Sequence, residues 1–213
     1  VSFEDFCIIL DRGTTMPIYK KIFEYFGIPL EVYQDSNLTN TYDFYLIKNI
    51  ISLILSIYHN EFDSKIRYYF TSIARSYLSD LNDQDIFKIL EENNIFETSI
   101  FKICKNLSLN LESKTPRIVL QEIIDEFKIY ESSVKVGNIR DNEIRMNYLL
   151  ELTKNMEELG FTIEDFKNYL DSIIENGLEI RYKEPKSNAD CVKIMNIHKS
   201  KGLEFPICYF AGF

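Results

Sequence analysis

The spacing of apolar residues changes twice along the chain. At the start, Phe6-Cys7-Ile8-Ile9-Leu10 is an unbroken apolar run, the pattern of a strand covered on both faces. A polar turn, Asp11-Arg12-Gly13-Thr14-Thr15, follows. Pro17 suits the first turn of a helix reaching about Phe26, Gly27 suits the position just past its end, and Ile28 to Tyr33 reads as a second strand. Strand, helix, strand is the order of a parallel sheet.

From about Tyr42 the period becomes helical and stays so. Phe44 to Tyr58 is apolar nearly all round, which predicts a helix buried among neighbours. Asn82 or Asp83 can cap a helix running through Leu90. Leu120, Ile123, Ile124, Phe127, Tyr130 and Val134 make one helical stripe. Tyr148, Leu149, Leu152, Met156 and Leu159 make another, ending at Gly160. Thr162 with Asp165 forms a capping pair, Phe161 can staple to Phe166, and Gly177 stops that helix. Lys183-Glu184-Pro185-Lys186-Ser187-Asn188 reads as a polar linker. The pattern then returns to strands, Cys191 to Ile197 and Pro206 to Phe210, around the loop His198–Phe205. The expected fold is α/β at both ends, closing one sheet, interrupted by a mainly α-helical insertion.

Composition supports a helical middle, because none of the seven glycines falls between Pro29 and Gly137, where hairpins would need them. Four scattered cysteines without a CxxC pair, and only His59 and His198 as histidines, fit reduced thiols better than a disulfide frame or a zinc site. No apolar run is long enough to span a bilayer and no secretory pattern is visible, so a soluble, cytoplasmic protein is expected. The net charge of −9 is an awkward sign for a nucleic-acid binder. Residues 1–35 carry 3 basic and 6 acidic side chains, residues 36–188 carry 18 and 25, and residues 189–213 carry 3 and 2. Only the last segment is positive, so any contact with DNA must be local.

That segment also carries the candidate chemistry. A buried strand ends and presents His198, Lys199, Ser200 and Lys201 before Gly202. The carboxyl ends of parallel strands are where ligands bind. A glycine lets its N–H approach an oxyanion closely, and lysines and a serine offer donors to phosphates. Glu204 adds an acceptor for a sugar hydroxyl or a neighbouring lysine. From composition alone a solvated turn between two strands is the better reading of the segment. Lys-Ser-Lys-Gly is not a P-loop, since G-x-x-x-x-G-K-[ST] occurs nowhere in the chain. Asp80, Asn82, Gln84 and Glu91 echo a calcium loop, but Asp85 stands where glycine is needed, so capping is the better reading. Tyr68-Tyr69-Phe70 reads as core before it reads as a base-stacking surface, and His59 as a helix-end residue.

Val192-Lys193-Ile194-Met195-Asn196-Ile197-His198-Lys199-Ser200-Lys201-Gly202-Leu203-Glu204-Phe205-Pro206 resembles motif V of the UvrD/Rep branch of superfamily 1 DNA helicases, most like its AddA helicase/nuclease version. Phe6 to Arg12, Pro17 to Phe26 and Gly27-Ile28-Pro29-Leu30 resemble the opening of that family's second motor domain, and Phe44 to Leu55 the helix entering its inserted subdomain. The resemblance implies part of a RecA-like parallel sheet. Residues 1–35 would begin domain 2A, 36–188 would form the helical 2B insertion, and 189–213 would return to 2A with motif V. It further implies an ATP-dependent DNA helicase of repair and recombination, coupling ATP hydrolysis to single-strand translocation. His198, Lys199, Ser200 and Asn196 then fall on the DNA side. Gly202 and Glu204 fall on the nucleotide side. Asn196 stands where the family usually has Thr, and Arg12 matches a family arginine followed here by Gly13. ATP and Mg²⁺ would belong to the parent motor, whose P-loop and Mg²⁺-binding motifs this chain lacks, and the isolated chain is expected to bind neither and to be inactive. The implied partners are DNA and a partner subunit of helicase/nuclease type. The competing expectation is an acidic helical protein-interaction module without motor activity.

Overall fold

The computed structural model describes residues 1–33, 35–137, 139–183 and 190–212. Most of the polar linker expected at 183–188, and the expected boundary after it, lie outside the described residues. The chain forms two compact units, one of residues Val1–Ser36 with Arg181–Phe213 and one of Asn37–Ile180.

In the first unit, β1 (Phe6–Leu10) leads into helix α1 (Met16–Tyr25) and then β2 (Leu30–Tyr33). The apolar run predicts β1 to the residue. Pro17 sits in the first turn of α1, as its missing N–H allows. Gly27, at φ +66°, lets the chain close the helix with two bonds, Gly27 N–H to Glu24 O and Ile28 N–H to Phe23 O. That closure occupies Ile28, so β2 begins at Leu30 and is shorter than the apolar pattern predicts. The return of the chain adds β5 (Val192–Asn196) and β6 (Ile207–Ala211), after β3 (Asp35–Asn37) and β4 (Arg181–Lys183) have paired in a small separate sheet.

The main sheet has the order β2-β5-β1-β6, with every pair parallel. Sequence-distant ends therefore interleave: β5 is inserted between β1 and β2, and β6 completes the other edge. One face carries Ile8, Leu10, Val192 and Ile194 and packs on Met16, Tyr19 and Phe23 of α1. The other carries Cys7, Ile9 and Met195, with Tyr33 and Phe205 against them. This is the RecA-like α/β arrangement with a helical insert.

The second unit consists of α2 (Tyr42–Tyr58), α3 (Lys65–Ala74), α4 (Asp83–Glu91), α5 (Ser99–Ser108), α6 (Pro116–Glu126), α7 (Ile129–Ser133), α8 (Ile139–Glu158) and α9 (Ile163–Glu175). Its first and last residues are tied by Leu38 N–H to Ile180 O at 2.8 Å. Helix α2 buries 12 of its 17 residues and serves as the axis against which α3, α5 and α9 pack. Asn82 caps α4 with Asp85 in reciprocal bonds, and Thr162 with Asp165 does the same for α9.

Two expectations fail here for identifiable reasons. The stripe from Leu120 to Val134 is not one helix: Lys128 adopts φ +49° and separates α6 from α7. Asn60, Asn93 and Asn110 likewise take positive φ, so this glycine-free stretch turns its corners with asparagine and one lysine. The buried face of α8 is Asn142, Met146, Leu149 and Thr153, rotated from the stripe of larger apolar residues, and Leu159 is exposed. Asn142 is buried because its amide nitrogen reaches Asp43 Oδ1 and Tyr77 Oη, both at 3.0 Å, while Arg145 Nη1 reaches Asp43 Oδ2 at 2.7 Å. Of Tyr68-Tyr69-Phe70 only Phe70 is core.

Candidate functional site

The candidate residues gather at one edge of the main sheet because its strands are parallel. Leu10 pairs with Asn196 on one side and Ala211 on the other, and Ile197 N–H extends the ladder to Leu10 O at 3.1 Å. Arg12, which follows β1, and His198, which follows β5, therefore leave adjacent strands at the same carboxyl edge.

The connections from these strands diverge. After β1 the chain crosses over β5 to β2, with α1 on one face of the sheet. After β5 it crosses over β1 to β6, with Phe205 packed on the opposite face. Both direction and face are reversed, so the two crossovers have the same hand. The connections of β1 and β5 thus run on opposite faces, which makes their junction a topological switch point, the position at which open α/β sheets bind ligands. Residues 197–206 are the whole of the second crossover. Ten residues are short for a parallel connection, which usually needs a dozen or more and a helix.

That shortness explains the loop's internal bonding. Asn196 Oδ1 accepts from Lys199 N–H at 2.9 Å, and Asn196 O accepts from the N–H groups of Lys199 at 3.1 Å and Ser200 at 3.2 Å. Ser200 Oγ donates to Ile197 O at 2.9 Å, and Leu203 N–H closes onto Ser200 O at 3.0 Å. The segment after β5 is a compact turn capped by Asn196. Two of the expected DNA-side groups, the Asn196 carbonyl oxygen and the Ser200 hydroxyl, are engaged in holding this turn. His198 is exposed, Lys199 and Ser200 are half-buried, and Arg12 is 84% exposed at its side chain with only a 3.6 Å approach to Asp11.

Gly202 follows at φ +79°, and a Cβ there would meet no atom within 4 Å. Its glycine is required by backbone conformation and not by close packing. Glu204 is exposed, and Phe205 then anchors the crossover on Cys7, Ile9 and Met195, beneath the Lys193 ammonium 5.3 Å from its ring centre. Sequence reasoning misses the contact of Phe205 with Lys193. The available signal is an aromatic residue immediately before Pro206 at a strand start.

Among the described residues no group of His, Cys, Asp and Glu could hold a metal ion, and no helix is long and apolar enough to cross a membrane. His59 ends α2 with Nε2 3.3 Å from Glu164 Oε2.

An ATP-dependent helicase/nuclease subunit of Thermoanaerobacter pseudethanolicus is 28% identical over 234 residues, covering 100% of this chain and 18% of that protein. The protein of the same name in Lactobacillus delbrueckii subsp. bulgaricus is 24% identical over 233 residues, with the same two coverages of 100% and 18%. That of Lachnoclostridium phytofermentans is 32% identical over 112 residues, or 48% of this chain and 8% of the relative. The chain thus spans 18% of the length of the first two relatives. The UvrD-like helicase C-terminal domain matches residues 3–213. With strands, crossovers and strand-end loop all inside that match, the chain belongs to the family of UvrD-like helicase C-terminal domains.

Proposed function

We propose that this chain is part of an ATP-dependent DNA helicase acting in repair and recombination. In this reading residues 1–35 and 189–213 contribute to motor domain 2A, and residues 36–188 form the inserted 2B subdomain. The crossover 197–206 couples nucleotide to single-stranded DNA. One observation carries the reading: His198 and Lys199 emerge beside Arg12 at a switch point, while Gly202 and Glu204 lie farther along the same short crossover. A connection with no slack, capped at Asn196 and anchored at Phe205, transmits displacement at one end to the other. His198, Lys199 and Arg12 supply donors to the DNA backbone. The Gly202 N–H can donate to a phosphate oxygen, and Glu204 can accept from a ribose hydroxyl or orient a lysine. Mg²⁺ would be held by other parts of the parent protein, which also bring the phosphate cradle. The relatives are named as one subunit of a helicase/nuclease, which supports a partner protein here too, and the acidic helical unit is the larger surface for it.

The test is made in the full-length protein. Lys199→Ala is expected to weaken single-strand binding and to lower the slope of log affinity against log salt by about 0.7, one phosphate contact. His198→Ala weakens the same binding. Glu204→Gln leaves affinity intact and lowers DNA-stimulated ATP turnover by about tenfold, equal to ~1.4 kcal/mol of barrier. Unchanged binding and turnover in all three variants would leave the acidic docking module as the better account.

A further inference from the structure

The sheet register assembles a cluster that no sequence spacing reveals. Glu31 pairs with Lys193, Lys193 with Cys7, and Cys7 with Cys208, so one row crosses all four strands. Register partners in parallel strands project to the same face. Cys191, two residues before Lys193, donates its thiol to Glu31 Oε2 at 3.8 Å. Three of the chain's four cysteines therefore surround one lysine on the face beneath the crossover.

Their exposures differ in a way that sets an order of reaction. Cys7 is fully buried and Cys208, on the edge strand β6, is exposed. Paired Cα atoms of adjacent strands lie about 4.8 Å apart, inside the roughly 4.4–6.8 Å window a disulfide needs. Cys191 is offset by two residues from the partner of Cys7, a diagonal of about 7–8 Å, which lies outside that window. It is also two strands from Cys208. Cys7 and Cys208 are the one pair that strand geometry allows to join.

We propose that Cys7 and Cys208 are a redox modification site, forming a reversible cross-strand disulfide when the protein meets a small-molecule disulfide. The exposed Cys208 thiolate attacks one sulfur of oxidised glutathione, breaking its S–S bond and releasing one glutathione thiolate. Cys7 then loses its proton to water, and its thiolate attacks Cys208 Sγ and expels the second glutathione. Two protein thiols are oxidised, one glutathione disulfide is reduced, and the two released protons end on the two glutathione thiols. The second step is the slow one. Burial pushes the Cys7 thiol up to about 11, the neighbouring Cys208 adds to this, and the Lys193 ammonium only partly opposes it. The product staples β6 to β1 under Phe205, whose carbonyl accepts from the Cys208 thiol at 3.8 Å. This inference stands on sheet register and does not depend on the helicase reading.

The experiment treats the reduced chain with oxidised glutathione at pH 7 and pH 9 and follows intact mass and non-reduced peptide maps. The expected course is a glutathione adduct on Cys208 that converts to a peptide linking Cys7 to Cys208, several-fold faster at pH 9, and reverses with dithiothreitol. Cys208→Ser abolishes adduct and link, Cys7→Ala traps the adduct, and Cys191→Ser changes neither. An adduct that persists unresolved at both pH values, or a link through Cys191 or Cys104, would overturn the proposal.

Discussion

The two compact units solve the problem of burying apolar surface differently. The helical unit closes a core around one helix, α2, in which Phe44, Ile47, Ile50, Ile51, Leu53 and Ile54 are all fully buried. Both units leave apolar side chains outside, such as Phe87 and Leu159 in the helical unit, but in the sheet unit many of them gather on one helix and one edge strand. Ile18, Ile22, Tyr25 and Phe26 along the outer side of α1, and Tyr209 and Phe210 on the edge strand β6, are exposed, Tyr25 by 84%. Parallel sheets are ordinarily covered on both faces. The unit that carries the candidate chemistry thus divides its core between two thin layers, one on each face of the sheet, whereas the helical unit gathers its core around one helix.

The strongest way to break this contrast is to damage that core. Phe44→Ala removes a side chain with 0% exposure and is expected to cost about 3–5 kcal/mol. Amide exchange in α2, α3 and α5 should accelerate while protection in β1 and β5 persists, measured alongside urea unfolding. Equal loss in both units would show one cooperative core and end the distinction.

The same contrast governs what can be read from the residues alone. β1 is legible because a strand covered on both faces has no polar positions to confuse it. α4 and α9 are legible because Asn82 with Asp85 and Thr162 with Asp165 are local signals. The break at Lys128 is not, since a lysine at φ +49° is held there by the two flanking helices and not by its own preference. The face of α8 is hidden because Asn142 and Thr153 are polar, and their burial follows from partners such as Asp43, 99 residues away from Asn142. At the site, residue types around His198 and Gly202 are informative, but the switch point is a property of strand order. So is the gathering of Cys7, Cys191 and Cys208. The resemblance puts Asn196 on the DNA side, with asparagine where the family usually has Thr, and its nearest use is local, as the cap of the turn.

A smaller effect separates backbone from packing at the crossover. Gly202→Ala meets no atom within 4 Å, so its cost comes from the left-handed backbone alone, about 1–2 kcal/mol. Gly202→Asn should recover most of that loss, because asparagine tolerates this conformation, as Asn60, Asn93 and Asn110 do in the helical unit. Urea titration with amide exchange should confine the loss to the sheet unit. Equal destabilisation by Ala and Asn would mean that the open space at Gly202 is filled in solution.

The mildest probe is pH, and its acid limb should tell the two units apart. In the helical unit, Asp171 of α9 is 3.0 Å from Lys48 of α2 and 2.7 Å from Lys167. Burial raises its carboxyl, but the two lysines together outweigh this and hold it below the ordinary value of 3.8. A lowered carboxyl stabilises the fold above its unfolded value, and that contribution disappears as pH falls through the folded one. The helical unit should therefore weaken in acid below about pH 4, and Asp171→Asn should flatten that limb. In the sheet unit, burial first, then Cys208, raises Cys7 from 9.0 to about 11, with Lys193 opposing. A raised thiol stabilises the fold while it is protonated. The unfolded chain ionises first, so Cys7 weakens the sheet unit between pH 9.0 and about 11, and Cys7→Ala should reduce that slope, with the raised Cys191 thiol accounting for part of the rest. Amide exchange across the two limbs distinguishes the cases. Burial likewise raises the Cys104 thiol of α5, so base should loosen the helical unit as well, whereas acid loosening β1 and β5 would mean the units share their electrostatics as well as their chain.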